Sequence, residues 1–225
     1  MLGLYRLAVL FTALTFSGPA SAAMLTGADL ADALKGGGYV LVMRHASSPP
    51  TPPTSPDPGN TAHERQLDAK GKTMARAMGM ALRTMKIAIG KVYSSPTFRA
   101  RQTVALVATV KPELVPELGD AGHSMAPIQA KGPAAWLRAH AAMTPAPGHD
   151  TLIVTHMPNI VAAFPTDAPG LGDGEARVFR TAGKGGGTLV AKVPIDAWPA
   201  LSRAPKYPPD ESIYGSVFPC AAAGR

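Results

Sequence analysis

The sequence predicts a layered α/β domain with a mixed sheet, because short apolar runs alternate with segments of helical periodicity. Residues 39–43 form a continuous apolar run, and residues 151–155 (TLIVT) hold three apolar residues between two threonines; both patterns are typical of strands buried on both faces. Residues 176–180 and 188–193 flank a glycine turn at 183–187 and indicate a hairpin. A length of 225 residues favours one domain.

The N-terminal segment 1–23 is predicted to be a signal peptide. Arg6 supplies a positive charge, residues 7–16 are apolar, and residues 20–22 form a small-residue cleavage site. The apolar run is shorter than the ~20 residues that cross a bilayer, and an uncleaved anchor is the alternative. We therefore expect a periplasmic or secreted protein without stable membrane insertion. Residues 24–225 would form a single domain with a proline-rich tail.

Composition and charge restrict the classes of partner. Hydrophobic residues make up 46% and charged residues 16%, as in globular rather than disordered chains. The net charge is +7, and Arg6 is the only charge before residue 24, so the mature chain carries 7 − 1 = +6 and attracts anions. The 22 Lys and Arg residues form no dense run, so we expect no nucleic-acid partner. The single cysteine, Cys220, excludes an internal disulfide and a cysteine-built zinc site.

Two helices are predicted in the first half of the domain. Residues 26–35 would form a helix capped by Thr26 and ended by glycines. A second helix begins after Asp68, a typical N-cap residue, and carries apolar side chains at helical spacing. Between the helices, six prolines in residues 47–58 predict a stiff loop over a neighbouring site. The alternative is a ligand for a proline-binding partner.

The later elements are predicted to be shorter. Residues 92–93 form a brief strand, and Ser95 with Pro96 supplies an N-cap and first position for a helix that runs to about residue 109. The remaining expectations are an edge strand within 112–119, a helix within 127–143, a short helix after Pro158 and an irregular surface tail after Trp198.

Unusual polar side chains follow three of the predicted strands. These are Arg44 with His45, Arg99 near the start of the helix after the second strand, and His156. Because ligands bind beyond the carboxyl ends of parallel strands, we expect these side chains to converge. Guanidinium groups bind phosphate oxygens bidentately, and a neutral imidazole can attack phosphorus. Taken singly, each residue could instead be an ordinary surface or core residue, so the prediction depends on their joint occurrence.

Three segments resemble the signatures of the histidine phosphatase superfamily, the phosphoglycerate-mutase-like proteins, and a fourth, residues 64–71, resembles the segment that opens the first long helix of those proteins. The segments are residues 40–46 (VLVMRHA), 64–71 (ERQLDAKG), 94–103 (SSPTFRARQT) and 151–159 (TLIVTHMPN). The resemblance, which extends from about residue 38 to 198, implies a three-layer α/β/α fold with a mostly parallel mixed sheet. With the predicted signal peptide, it suggests an exported, bacterial-type branch of the family.

The resemblance also implies roles for individual residues. His45 would be the phosphorylated nucleophile, and the phosphoryl-binding residues would be Arg44, Arg99 and His156, with Ser47 as a further substrate-binding residue. Neither a metal nor a cofactor is implied. The expected function is hydrolysis of a small phosphomonoester whose identity the sequence does not reveal.

Two departures from the family pattern motivate a second hypothesis. Ala46 stands where the family usually has glycine after the first histidine. The acid that protonates the leaving oxygen varies in position within the family. Glu117 is the preferred candidate, with Glu113 and Asp120 as alternatives. Without an acid in the pocket, the chain could be a non-catalytic module that binds phosphate esters.

Overall fold

The computed structural model describes residues 23–51, 54, 63–120, 132–181 and 187–202. Most of the predicted signal peptide, most of the proline-rich loop, the start of the helix expected at 127–143 and the tail beyond residue 202 lie outside the described residues. Within the described ranges, no helix has both the length and the apolar character needed to span a membrane.

Helices and strands follow one another as the alternating pattern predicts. The helices are α1 (Gly27–Gly36), α2 (Ala69–Thr84), α3 (Phe98–Val107), α4 (Pro133–Ala141), α5 (Met157–Ala163) and α6 (Trp198–Leu201). The strands are β1 (Tyr39–Arg44), β2 (Ile89–Ser94), β3 (Glu113–Leu114), β4 (Asp150–Thr155), β5 (Ala176–Thr181) and β6 (Gly187–Val193). Short 3₁₀ turns occupy Pro116–Leu118 and Ile195–Ala197.

The described strands form one mixed sheet in the order β3-β2-β4-β1-β5-β6. Strands β1 to β4 are parallel, and β5 and β6 pair antiparallel as the predicted hairpin. Arg44 lies opposite Thr155, and Ser94 lies opposite Val154. The carboxyl ends of β1, β2 and β4 therefore lie next to one another at one edge of the sheet, where ligands bind in such folds.

Two apolar clusters cover the two faces of the sheet. Leu41 and Met43 point into a cluster that includes side chains of α1, α2, α3 and α6. Val40 and Val42 point into a cluster that includes side chains of α4 and α5. Because alternate residues of β1 are buried on opposite faces, the arrangement has three layers. The predicted α/β/α architecture is confirmed.

Two predictions about local structure are wrong. The helix expected to start at Ser95 and Pro96 begins at Phe98, with Thr97 as N-cap. The Ser95 hydroxyl instead accepts hydrogen bonds from the Thr97 amide and from the ring of His156, at 3.3 and 2.9 Å. The turn at Ser95 therefore contacts the histidine that follows β4. The first residues of the tail expected to be irregular after Trp198 are helical instead, since α6 runs to Leu201 and the Trp198 side chain is fully buried in the core; the prediction for the tail beyond residue 202 lies outside the described residues.

Asp150, at the start of β4, is a buried carboxyl group far from the carboxyl edge of the sheet. Its Oδ1 accepts a hydrogen bond from the Tyr39 amide at 2.9 Å, and its Oδ2 has no hydrogen-bond partner among the described residues. Burial raises the pKa of Asp150 from 3.8 to about 7. The folded protein therefore binds a proton that the unfolded chain releases above about pH 4.

We expect this carboxyl group to make stability fall as the pH rises from about 4 to 7 and to add no further slope above that range. Between pH 5 and 8, its contribution to the free energy of unfolding should fall by about 3 kcal/mol. Urea unfolding gives the change in the free energy of unfolding between pH 5 and 8 for the parent and for Asp150→Asn. The difference between the two changes is the contribution of Asp150, because groups that titrate alike in both proteins cancel. Parallel pH dependences in the two proteins would contradict it.

Candidate active site

His45 lies directly after β1, and its backbone is held from three directions. Its amide donates to the Thr155 carbonyl of β4 at 3.0 Å, and its own carbonyl accepts from the Gly174 amide at 3.0 Å. The next amide, of Ala46, donates to the Thr103 hydroxyl of α3 at 3.1 Å. The His45 side chain is 4% exposed. The position of the imidazole is thus fixed by the sheet and by α3 together.

Arg99, in the first turn of α3, joins the other predicted residues. It is 3% exposed. Its Nε donates to Nε2 of His45 at 3.2 Å, and a terminal nitrogen lies 3.2 Å from Nδ1 of His156. The same nitrogen forms an ion pair with Asp120 at 2.9 Å. One planar guanidinium thus spans both imidazoles while a buried carboxylate holds it in place.

His156, directly after β4, completes the group. Its ring centroid lies 5.2 Å from that of His45, edge to face. Because Nδ1 accepts from Arg99, the ring proton resides on Nε2, which donates to the Ser95 hydroxyl at 2.9 Å. The structure therefore brings His45, Arg99 and His156 together, as expected from the parallel strand ends. To donate to a bound anion, His156 must share or release its contact with Ser95.

The two histidine rings are neutral in this environment. Burial is the largest cause that lowers the pKa of His45 to about 3, and the positive charges of Arg99, Arg44 and Arg65 lower it further, against a backbone hydrogen bond that raises it. Burial and Arg99 likewise hold the pKa of His156 well below 6.5. Nδ1 of His45 donates to the Ala46 carbonyl at 2.8 Å, so Nε2 carries the lone pair. A neutral imidazole is the nucleophilic form, and Nε2 must release the hydrogen bond from Arg99 Nε before its lone pair can attack.

Arg44 lies at the same sheet edge, but its terminal nitrogens face other partners. One forms an ion pair with Asp173 at 2.7 Å, and the other lies 3.9 Å from the sulfur of Met157. Its Nε is buried without a hydrogen-bond partner among the described residues. Since the carboxylate of Asp173 is 40% exposed, a bound phosphoryl group could replace it as the partner of Arg44.

Of the three predicted acids, Asp120 joins this group through Arg99, whereas Ser47, Glu113 and Glu117 make their described contacts elsewhere. Ser47 donates its hydroxyl proton to Asp68 at 2.7 Å and lines a neighbouring groove of about 380 Å³. Glu113 pairs with Lys91 at 2.7 Å on the exposed surface. Asp120 is bound to Arg99. Glu117 is half-buried in the turn Pro116–Leu118, and no described contact joins it to the two histidines or to Arg99.

Asn159 fixes the segment that carries Asp120, a role that the sequence reasoning missed. Its side-chain amide donates to the carbonyls of Leu118 and Gly119 at 3.2 and 2.6 Å. Asn159 is 3% exposed and lies in the first turn of α5, three residues after His156. The turn that follows His156 therefore also positions the carboxylate that holds Arg99.

Arg65 and Glu64 were also missed as members of the site. A terminal nitrogen of Arg65 donates to the Ser48 carbonyl at 3.1 Å. Burial lowers the pKa of Arg65, and the positive charges of Arg99 and Arg44 lower it further, so its guanidinium lies within electrostatic range of theirs. The sequence signal for these two residues was the segment 64–71, which was interpreted only as the start of α2.

Buried guanidinium and imidazole groups at the carboxyl edge of a parallel sheet form a site for a tetrahedral oxyanion such as phosphate. Within the described residues, no three His, Cys, Asp or Glu side chains lie close enough together to bind a metal ion. The chain belongs to the histidine phosphatase superfamily, since the family model of branch 1 matches residues 40–151. This membership supports phosphatase activity.

Solved structures share the fold. The structure of the protein histidine phosphatase SixA complexed with tungstate is 22% identical, with a TM-score of 0.50, and the match covers 70% of this chain and 97% of that one. A mutant of phosphoserine phosphatase from Entamoeba histolytica, in complex with phosphoserine, is 12% identical, with a TM-score of 0.47 and coverage of 70% and 97%. Comparison with curated protein sequences finds no match.

Proposed function

We propose that this protein hydrolyses phosphomonoesters through a phosphohistidine intermediate on His45. The observation that carries the proposal is the buried contact of Arg99 with Nε2 of His45 and Nδ1 of His156. This guanidinium can hold a phosphoryl group directly in front of the neutral His45 ring. The imidazole is then a nucleophile whose target is positioned and charge-stabilised by the same arginine.

In the first step, the lone pair of His45 Nε2 forms a bond to phosphorus while the bond from phosphorus to the ester oxygen breaks. Arg99 stabilises the negative charge on the phosphoryl oxygens. Arg44 does the same once it has left Asp173 and bound the phosphoryl group. In the second step, the oxygen of a water molecule attacks phosphorus and the nitrogen–phosphorus bond breaks. Overall, the proton that the water loses balances the one that the departing ester oxygen gains, so the products are the alcohol, inorganic phosphate and the free imidazole of His45.

A second candidate function is a non-catalytic module that binds phosphate esters. The ion pair between Arg44 and Asp173 favours it, because a substrate must break this pair. The absence of Glu113 and Glu117 from the described contacts of the two histidines favours it as well. For either function, we further propose that the protein acts after export, in the periplasm or as a secreted protein, which rests on the sequence of residues 1–23 alone.

Chemical trapping distinguishes hydrolysis from binding. The mature protein is mixed rapidly with p-nitrophenyl phosphate and quenched in base, where phosphohistidine survives, and the digested peptides are examined by mass spectrometry. We expect a phosphorylated peptide with the modification on His45 and a burst of p-nitrophenol that matches the enzyme concentration. Vanadate binding without any phosphorylated histidine would instead support the binding module and end the hydrolase proposal.

A further inference from the structure

Proton donation to the leaving oxygen has no assigned group in the site described above. Asp120 is ion-paired with Arg99, a contact that favours its carboxylate form over the protonated form that a general acid needs. Glu113 lies on the exposed surface with Lys91. Glu117 is half-buried and is joined to neither histidine by a described contact. An alkyl phosphate leaves as a strongly basic alkoxide unless an acid protonates it, so hydrolysis of such esters requires one more group.

Glu64 is a buried carboxyl group beside the residues that form the site. Its side chain is 5% exposed, and its Oε2 accepts a hydrogen bond from the amide of Phe98 at 3.3 Å. Phe98 is the first residue of α3 and directly precedes Arg99. Arg65, whose guanidinium lies near those of Arg44 and Arg99, follows Glu64 in the chain. The carboxyl group thus lies between two segments that both contribute arginines to the oxyanion site.

The second oxygen of Glu64 distinguishes this residue from a simple helix cap. Oε1 is buried and has no hydrogen-bond partner among the described residues. A residue that only held α3 in place would use its one bonded oxygen, and its other oxygen would ordinarily reach solvent or a second donor. Burial raises the pKa of Glu64, opposed by the Phe98 amide and by Arg99. A raised pKa favours the protonated form of a carboxyl group, and a protonated Oε1 without an acceptor can donate to a substrate atom.

We propose that Glu64 is the general acid of the hydrolysis, donating its proton from Oε1 to the ester oxygen as the bond from phosphorus to that oxygen breaks. This inference rests on the proposed function. The leaving group departs as a neutral alcohol, and the phosphoryl group remains on Nε2 of His45. In the second step, the Glu64 carboxylate takes a proton from the attacking water, which restores the acid when phosphate forms.

The test compares two phosphate esters whose leaving groups differ in basicity. Glu64→Gln keeps the size and the acceptor oxygen that binds the Phe98 amide, but it carries no acidic proton. We expect the rate of phosphoryl transfer from glycerol 2-phosphate to His45, measured in a single turnover because steady-state kcat also includes dephosphorylation, to fall by about 10²-fold or more, since its alcohol is strongly basic. We expect the same rate for p-nitrophenyl phosphate, measured as the burst of p-nitrophenol, to change by less than about fivefold, because its phenolate leaves without protonation. The matched control, Glu117→Gln, should leave both rates near those of the parent.

Each other result rejects the role. Equal losses on the two substrates would indicate that Glu64 only positions α3, and a loss confined to glycerol 2-phosphate in Glu117→Gln would move the acid to Glu117. A parent enzyme that hydrolyses only the aryl ester would also reject a general acid. If Glu64→Gln fails to fold, Glu64→Asp, which keeps an acid with a shorter reach, should show the same dependence on the leaving group. Trapping of phosphohistidine on His45 with the aryl ester tests the proposed function independently, because that step needs no acid.

Discussion

Replacing His45 with alanine is expected to lower kcat/KM for p-nitrophenyl phosphate by at least about 10⁴-fold, because the covalent step loses its nucleophile. The backbone contacts of His45 with Thr155 and Gly174 do not involve the side chain and should persist. Arg99 keeps its contacts with His156 and Asp120, so Arg99 and His156 remain in place to bind the anion. Phosphate or vanadate binding should therefore change much less than turnover. Steady-state kinetics and calorimetric titration measure the two quantities separately.

The matched control is His149→Ala, at the opposite end of β4. His149 is exposed and precedes Asp150, so the same substitution there should leave kcat/KM near that of the parent. Added imidazole should partly restore turnover in His45→Ala, since a free imidazole can enter the space and attack the bound phosphoryl group. If His45→Ala retains more than about a tenth of the parent activity, another residue is the nucleophile.

The convergence of His45, Arg99 and His156 could be predicted because it follows from backbone rules. Residues 39–43 and 152–154 are uninterrupted apolar residues, which a strand buried on both faces accommodates well. Once β1, β2 and β4 are parallel neighbours, their ends must share one edge of the sheet. Long-range convergence thus depended on strand direction and order, and it required no knowledge of side-chain conformations.

The contacts of Arg44, Glu64 and Arg65 could not be predicted in this way. Arg44 stands beside His45 in sequence, yet its guanidinium is drawn to Asp173, which comes from the segment before β5. Glu64 and Arg65 lie after the proline-rich loop and before α2, where no periodicity indicates which side chain is buried. Their positions are set by tertiary contacts with Phe98 and with the Ser48 carbonyl, and such contacts leave no local pattern in the sequence.

The start of α3 shows how the site overrides local preference. Ser95 and Pro96 have the composition of a helix N-terminus, and by propensity alone the helix should begin there. In the structure, the Ser95 hydroxyl is engaged by His156 and by the Thr97 amide, and Glu64 supplies the acceptor for the Phe98 amide. The two residues lost from the helix become the turn that orients His156. A functional requirement therefore explains the failure of the capping rule at this position.

Substituting Arg99 is the second change with a large expected effect. Arg99→Lys keeps the positive charge, but a single ammonium group cannot contact His45, His156 and the phosphoryl group in the fixed geometry of a guanidinium. We expect kcat/KM to fall by about 10³-fold in Arg99→Lys and further in Arg99→Ala, with losses in both kcat and phosphate affinity. The control is Arg101→Ala on the same helix, where the guanidinium lies over the ring of Phe98 at 6.0 Å and the expected change is small.

Stability and catalysis can be separated at this position. Arg99→Ala removes the guanidinium that binds the buried Asp120, and loss of one partner of a buried ion pair costs about 3–5 kcal/mol. The double variant Arg99→Ala with Asp120→Asn also removes the buried negative charge that Arg99 balanced, so the free energy of unfolding should recover in large part. Activity should not recover, because the anion still lacks its guanidinium between the two imidazoles. Asp120→Asn cannot supply the positive charge with which Arg99 would bind the phosphoryl group. Recovery of both the free energy of unfolding and kcat/KM in the double variant would therefore show that Arg99 acts only in folding.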